Sequence, residues 1–190
     1  MIYETLLSLT SLCCLYKFYK TRKINTEIYI DELTGMYNRK VMNRVKSLDK
    51  KNKYVVVAYD IDHFKNVNDT YGHSVGDVAL KSVSNVIKNK FTKDGEFNVR
   101  FGGEEFFSFI INHDKNHDNI INLIDEVRTE IEELSIVADG NLIKLTISIG
   151  IVFYNEEKLL RDRVEISDKR LYKAKKNGRN RLCFEGDTNV

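Results

Sequence analysis

The chain has no proline and only three cysteines among its 190 residues. Without proline no helix is stopped by a missing N–H, so helix ends must be read from Gly, Asn and Asp. Cys13, Cys14 and Cys183 lack metal-ligand spacing. Two adjacent cysteines in an apolar, helix-like run read as packing, not as a disulfide framework. A reducing, cytoplasmic setting for the globular part follows. An excess of one charge is also missing: 30 Lys and Arg face 28 Asp and Glu, for a net charge of +2, which argues neither for nor against nucleic acid. Long apolar runs are scarce as well. The stretch from Leu6 to Tyr16 is largely apolar and is followed by Lys17, Lys20, Arg22 and Lys23. It falls short of the roughly 20 residues that span a bilayer, and Glu4 precedes it closely. No basic region opens the chain, which argues against a cleaved signal peptide. Three readings of residues 1–23 stay open. They form a short membrane anchor with its basic end in the cytoplasm, an interfacial helix, or a helix that pairs with its copy through Leu6, Leu9, Cys13 and Tyr16.

Hydrophobic content of 42% and charged content of 31% are ordinary for a globular protein, and the length allows one domain with a short appendage. Helices are expected over about 3–29, from Asn38 to about Leu48, over about 63–69, over about 75–91, and along the stripe Ile120, Ile124, Val127, Ile131 and Leu134. A last helix is expected over about 165–177, with Gly178 placed to cap it. The continuous run Tyr54 to Tyr59 reads as a central strand covered on both faces. Ile143 to Ile151 alternates like a half-buried strand, and a final strand is expected over about 180–185. Helices thus alternate with strands around one mixed sheet, an α/β (α+β) fold. Three parts are expected: an N-terminal helix over 1–29, a catalytic domain over 30–186 and a tail over 187–190.

The most informative stretch is Arg100-Phe101-Gly102-Gly103-Glu104-Glu105-Phe106. Two glycines between apolar, strand-like runs suit a two-residue hairpin turn, which demands φ > 0. With no Cβ at the tip, another molecule's phosphates can approach closely. Two carboxylates follow at once, and alternation lets only one of them face whatever lies over the turn. The strand at Tyr54–Tyr59 ends in Asp60-Ile61-Asp62-His63-Phe64-Lys65. Carboxylates at the C-terminal end of a buried strand lie where open α/β sheets hold ligands. Asp60 is expected to point out of the strand end and Asp62 to cap the following helix. Asp60 and Glu104 on neighbouring strands would make a pair of hard oxygen ligands for magnesium.

Five blocks in order carry a resemblance that covers roughly residues 30 to 186. They are Asp31 through Arg39, Asp60 through Lys65 with Asn68 through His73, Gly76-Asp77, the Gly-Gly-Glu-Glu-Phe hairpin, and Tyr172 through Asn180. On these blocks the chain resembles the catalytic domain of diguanylate cyclases, the GGDEF or GGEEF family. The resemblance implies a fold like the palm of nucleotidyl cyclases and some polymerases. It also implies condensation of two GTP into cyclic di-GMP with release of two pyrophosphates. Matched residue by residue, Asp60, Glu104 and the carbonyl of Ile61 would hold Mg²⁺ (or Mn²⁺), and Glu105 would assist a second metal or activate the hydroxyl. Asn68 and Asp77 would read the guanine, with Leu33 packed near it. Lys65, Lys175 and Arg179 would meet the phosphates over the bare Gly102-Gly103 turn. Asp31 and Arg39 are expected to be structural ties. Each domain would hold one GTP, so the active species would be a homodimer.

One departure stands out. The family's product-inhibition motif is Arg-x-x-Asp, whereas this chain has Lys93-Asp94-Gly95-Glu96. Lysine lacks arginine's planar fork, so feedback inhibition is expected to be weak. The basic stretch from Arg161 to Arg181 carries no nucleic-acid fingerprint, and nucleotide phosphates are its more economical partner. A second reading is a catalytically silent domain of the same family that binds GTP or cyclic di-GMP and signals. The intact Glu104 and Glu105 argue against it.

Overall fold

The computed structural model describes residues 28–111, 116–154 and 159–186. The N-terminal helix expected over about 3–29 lies outside them up to residue 27, and its last two residues, 28 and 29, form a turn instead. The 1–23 segment with its three readings and the tail at 187–190 also lie outside them. The chain divides into two compact units, Met1–Ile30 and Asp31–Val190. Of the first, the three described residues form a turn ending in a single bridge residue.

The second unit begins with β1 (Tyr37–Asn38), a single 3-10 turn (Arg39–Val41) and α1 (Met42–Asn52). Then come β2 (Tyr54–Ile61), α2 (Phe64–Tyr71), α3 (His73–Lys90), β3 (Phe97–Gly102), β4 (Glu105–Ile111) and α4 (His117–Glu133). It closes with β5 (Ile136–Ala138), β6 (Asn141–Ile143), β7 (Ile147–Val152), α5 (Leu160–Lys176) and β8 (Leu182–Cys183). Six strands make one mixed sheet in the order β1-β3-β4-β2-β7-β8, and β5-β6 make a separate ribbon. The sheet is mixed and flanked by helices, as the residue pattern predicts.

Alternation along β2 sorts the two faces. Val55, Val57, Tyr59 and Ile61 join the main apolar cluster with residues of α3 and α4. The expected stripe Ile120, Ile124, Val127 and Ile131 is the buried face of α4. Each such side chain contributes about 1.5–3 kcal/mol relative to exposure. The other face, with Val56, Ala58 and Asp60, lies under α5. There Ala58 pairs with Gly150 of β7. A Cβ on Gly150 would stand 2.1 Å from the Ser167 carbonyl oxygen and 2.5 Å from the Leu171 nitrogen of α5. The helix therefore rests on bare backbone. A buried ion pair ties α1 to α5: Arg163 Nη2 lies 2.6 Å from each Asp49 carboxylate oxygen, and the guanidinium stacks over Tyr154.

Several expectations are corrected. β7 is buried along its whole length, not half-buried, because α5 covers its second face. The Ile143–Ile151 run is broken, since Ile143 closes the ribbon and β7 starts at Ile147. The last helix starts at Leu160 instead of 165, and the last strand keeps only Leu182–Cys183. β1 and the β5-β6 ribbon are not anticipated, being too short to impose a period.

Candidate active site

β2 runs antiparallel to both β4 and β7, so Asp60 sits opposite Glu105 on one side and Ser148 on the other. Cross-strand partners share a face, and Asp60 and Glu105 both lie on the α5 side. Asp60 is only 6% exposed. Its Oδ2 lies 2.8 Å from Lys175 Nζ, from the last turn of α5. Burial pushes the Asp60 carboxyl up, the Lys175 ammonium pulls it down, and Glu104 and Glu105 add to the rise. Asp168 of α5 is raised too, by partial desolvation and then by Glu105, which brings a further acid beside the same cluster.

The hairpin differs from its expected form. Gly102 stays in the strand and pairs with Glu105, so the two turn residues are Gly103 and Glu104. Only Gly103 takes a positive φ, of 50°. The reason is an irregularity in β3 between Arg100 and Gly102, which shifts the register. Arg100 fastens the turn: its Nε donates to the Gly103 carbonyl at 3.0 Å, and its guanidinium bonds the Asp31 carboxylate. Asp31 also accepts from the Thr34 amide and hydroxyl. Burial opposes ionisation of Asp31, but these hydrogen bonds prevail and lower its pKa. Asp31 is thus the structural tie expected of it, and Arg39 lies over the Phe101 ring. Glu104 is half-buried and Glu105 exposed. The Ile61 amide donates to the Glu104 carbonyl at 3.4 Å, which holds the turn against the end of β2.

Asp62 does not cap α2. It is buried and accepts from the hydroxyls of Thr146 and Ser148, both at 2.7 Å, and from the Asn180 amide at 3.0 Å. The residue at the helix start is His63, in a left-handed conformation without a side-chain cap. Asp62 instead fastens the turn after α5. Gly178, at φ 110°, ends that helix as expected, and the Arg179 amide reaches back to the Ala174 carbonyl at 3.1 Å. Arg179 and Asn180 then both adopt positive φ, 64° and 45°. Such strain persists only where the surroundings hold it. Here Asp62 holds the Asn180 amide, and Arg128 of α4 donates to the Asn180 side chain at 3.0 Å. Asp62 and Arg128 carry no sequence signal for this bracing, because Asn180 lies 118 and 52 residues away from them.

The second part of the site is the corner between α2 and α3. A Cβ on Gly76 would stand 1.9 Å from Asn68 Oδ1. Only glycine lets the two helices meet with the Asn68 amide lying over the next helix, one residue from Asp77. Asp77 is exposed on α3 and Lys65 is exposed on the first turn of α2. Leu33 is half-buried against the main apolar cluster. Arg179 is half-buried in the strained turn.

Lys93 and Glu96 lie on the loop before β3. Glu96 turns its carboxylate inward, accepting from the Lys93 amide at 3.1 Å and the Ile111 amide at 3.2 Å. Burial raises its pKa against these two bonds. Both oxygens are spent on backbone.

The donor set fits a hard divalent cation. The Asp60 and Glu104 carboxylates and the main-chain oxygen of Ile61 are all oxygen ligands, the kind magnesium takes when phosphate completes its shell. Among the described residues, no three carboxylate, histidine or cysteine side chains group closely enough to hold a metal unaided.

A family model described as diguanylate cyclase, GGDEF domain, matches residues 28–181. The chain belongs to the GGDEF family. It is 41% identical over 137 residues to Diguanylate cyclase A of Treponema denticola, covering 72% of this chain and 36% of that one. It is 31% identical over 192 residues to Diguanylate cyclase DgcZ of Escherichia coli, covering 98% and 62%. The chain thus spans between about a third and two thirds of these curated relatives. Among solved structures, the GGDEF domain of DgcB from Caulobacter crescentus in complex with c-di-GMP superposes with a TM-score of 0.77. It is 27% identical, covering 84% of this chain and 94% of that one. The active GGEEF domain of a diguanylate cyclase from Vibrio cholerae gives 0.69 at 27% identity, covering 80% and 97%. Among the described residues of this GGDEF chain, no helix is long and apolar enough to cross a membrane.

Proposed function

We propose that this GGDEF domain is a diguanylate cyclase that joins two GTP into cyclic di-GMP, with magnesium, between two copies of the chain. One observation carries the reading. The buried Asp60 stands beside the Gly103-Glu104 turn on one side, while the Asn68 amide lies over Gly76 next to Asp77. Acids for a metal-triphosphate and a donor-acceptor pair for a base thus occur on adjoining elements.

In each half-reaction the ribose 3′-oxygen of one GTP attacks the α-phosphorus of the other. The new P–O bond forms as the bond to pyrophosphate breaks, and the hydroxyl proton must be taken away. Asp60, Glu104 and the Ile61 carbonyl would hold Mg²⁺, which when bound neutralises charge on the phosphate oxygens. Lys175 and Arg179 orient the triphosphate and offset the charge of the leaving pyrophosphate. Lys65, from the start of α2, adds a third cation. Glu105, exposed at the base of the turn, accepts the hydroxyl proton. The Asp77 carboxylate accepts from guanine N1-H and N2-H₂, and Asn68 donates and accepts beside it. Adenine has no such donor pair and would leave Asp77 unmatched. One domain holds one GTP, so no 3′-hydroxyl can attack and no α-phosphorus can be attacked until a second GTP-loaded domain faces it. Incubating purified protein with GTP and Mg²⁺ and identifying the product tests the reading. Cyclic di-GMP and pyrophosphate are expected, and GTP returned unchanged would overturn it.

A further inference from the structure

We propose that Lys175 is an exchangeable counter-ion, which occupies the Asp60 carboxylate until a metal-nucleotide arrives and then passes to the triphosphate. The inference rests on the assignment of Asp60 as a metal ligand made above. Its consequence is an order of binding: the metal enters with the nucleotide, and the protein alone holds it poorly.

The geometry favours exchange over a fixed ion pair. A carboxylate 6% exposed needs a compensating charge to stay ionised. Lys175 Nζ supplies it through a single contact at 2.8 Å. A second acid, Glu105, stands directly opposite Asp60 across the two strands, beside the same carboxylate. The Lys175 side chain is 32% exposed and stands in the last turn of α5, so its ammonium can swing without moving backbone. The Asp49–Arg163 pair is the contrast within the same molecule. There the arginine side chain is 0% exposed, bonds both carboxylate oxygens and is stacked on a ring. That pair cannot open without unpacking the core. The Asp60 pair can.

A divalent cation and an ammonium cannot both sit on the Asp60 oxygens, because like charges at that range repel. A metal entering alone must therefore evict Lys175 into solvent. A metal entering with a triphosphate brings the evicted ammonium a new anion at the same site. Each ligand then raises the affinity for the other, as linkage requires.

Electron paramagnetic resonance titration with Mn²⁺ tests this on the full chain, with and without guanosine 5′-(α,β-methylene)triphosphate, whose bridge blocks pyrophosphate release. Lys175→Met should bind Mn²⁺ without nucleotide roughly tenfold more tightly than the wild type, the effect of removing one like charge at ion-pair distance. The nucleotide should strengthen Mn²⁺ binding less in Lys175→Met than in the wild type. Lys175→Arg keeps the cation and should follow the wild type. Lys176→Met removes the same charge one residue on, where the ammonium lies over Tyr172, and should leave Mn²⁺ affinity unchanged. Equal Mn²⁺ affinity for Lys175→Met and the wild type overturns the proposal. So does an equal gain from Lys176→Met, which would reduce the effect to diffuse charge. A wild type that ignores the nucleotide would instead sink the functional reading, and the nucleotide-free titrations would still decide the exchange.

Discussion

Asp60 is buried beside acids, which disfavours its ionised form, yet only that form could serve as the metal ligand proposed for it. Its pKa is raised above the ordinary 3.8, first by burial. The protonated form is thus favoured by folding. That contribution is present below the ordinary value and is lost as pH rises through the raised one. Asp60→Asn removes the cost, and Lys175, partly exposed, can return to water. Melting curves at a series of pH values should show the variant gaining on the wild type from about pH 4 to neutrality, with no gain at the acid end. The same variant, and Glu104→Gln, should make no product from GTP; near-normal synthesis with a normal melt would remove both from the metal site. At the other end of the nucleotide, Asp77→Ser deletes the acceptor for the guanine edge. A hydrogen bond to a charged group is worth about 1.5–3 kcal/mol, so preference for GTP over ATP should fall roughly tenfold or more. Competition binding reads the ratio, and an unchanged ratio would refute the role. The pattern alone pointed to Asp60 at a strand end and Glu104 in a turn, whereas Asn68 and Asp77, which lie within helices, were singled out only by the resemblance. Asp62 was misread because its partners Thr146, Ser148 and Asn180 lie 84, 86 and 118 residues away.

Elements with many turns or a strong period announce themselves. β2, α3 and α4 were readable for that reason. The β5-β6 ribbon was not, since three-residue strands carry no pattern. The alternation of β7 was real but underdetermined: Ser148 and Gly150 looked like a solvent face, whereas one bonds Asp62 and the other admits α5. The loop before β3 shows an element whose chemistry changed with its sequence. Glu96 reaches the Lys93 and Ile111 amides with both oxygens, while Lys93 itself is exposed. Neither side chain offers the arginine-aspartate surface of the product-inhibition motif. Added cyclic di-GMP should therefore inhibit weakly, and Lys93→Arg with Glu96→Asp should strengthen inhibition, because arginine bonds a planar acceptor twice. Initial rates against added product measure both. Sub-micromolar inhibition of the unsubstituted protein would contradict this reading of the loop.

For the molecule as a whole, a half-site reaction has a concentration signature. If two GTP-charged domains must meet, specific activity should rise with protein concentration at the dilute end and level off once the dimer is filled. GTP binding per chain should stay constant throughout. A flat specific activity on dilution would mean either a very tight dimer or catalysis by one copy, and sedimentation at the same concentrations separates the two. The described fold also contains a means of tuning this machinery without touching it. Gly150 is the bearing on which α5 rests, and α5 carries Lys175 and the turn with Arg179. A single methyl inserted there would act as a shim under a lever, tilting the far end of the helix away from Asp60. On the proposed function, catalytic rate would thus be exposed to drift at a buried position of the core, where selection would act on thickness alone.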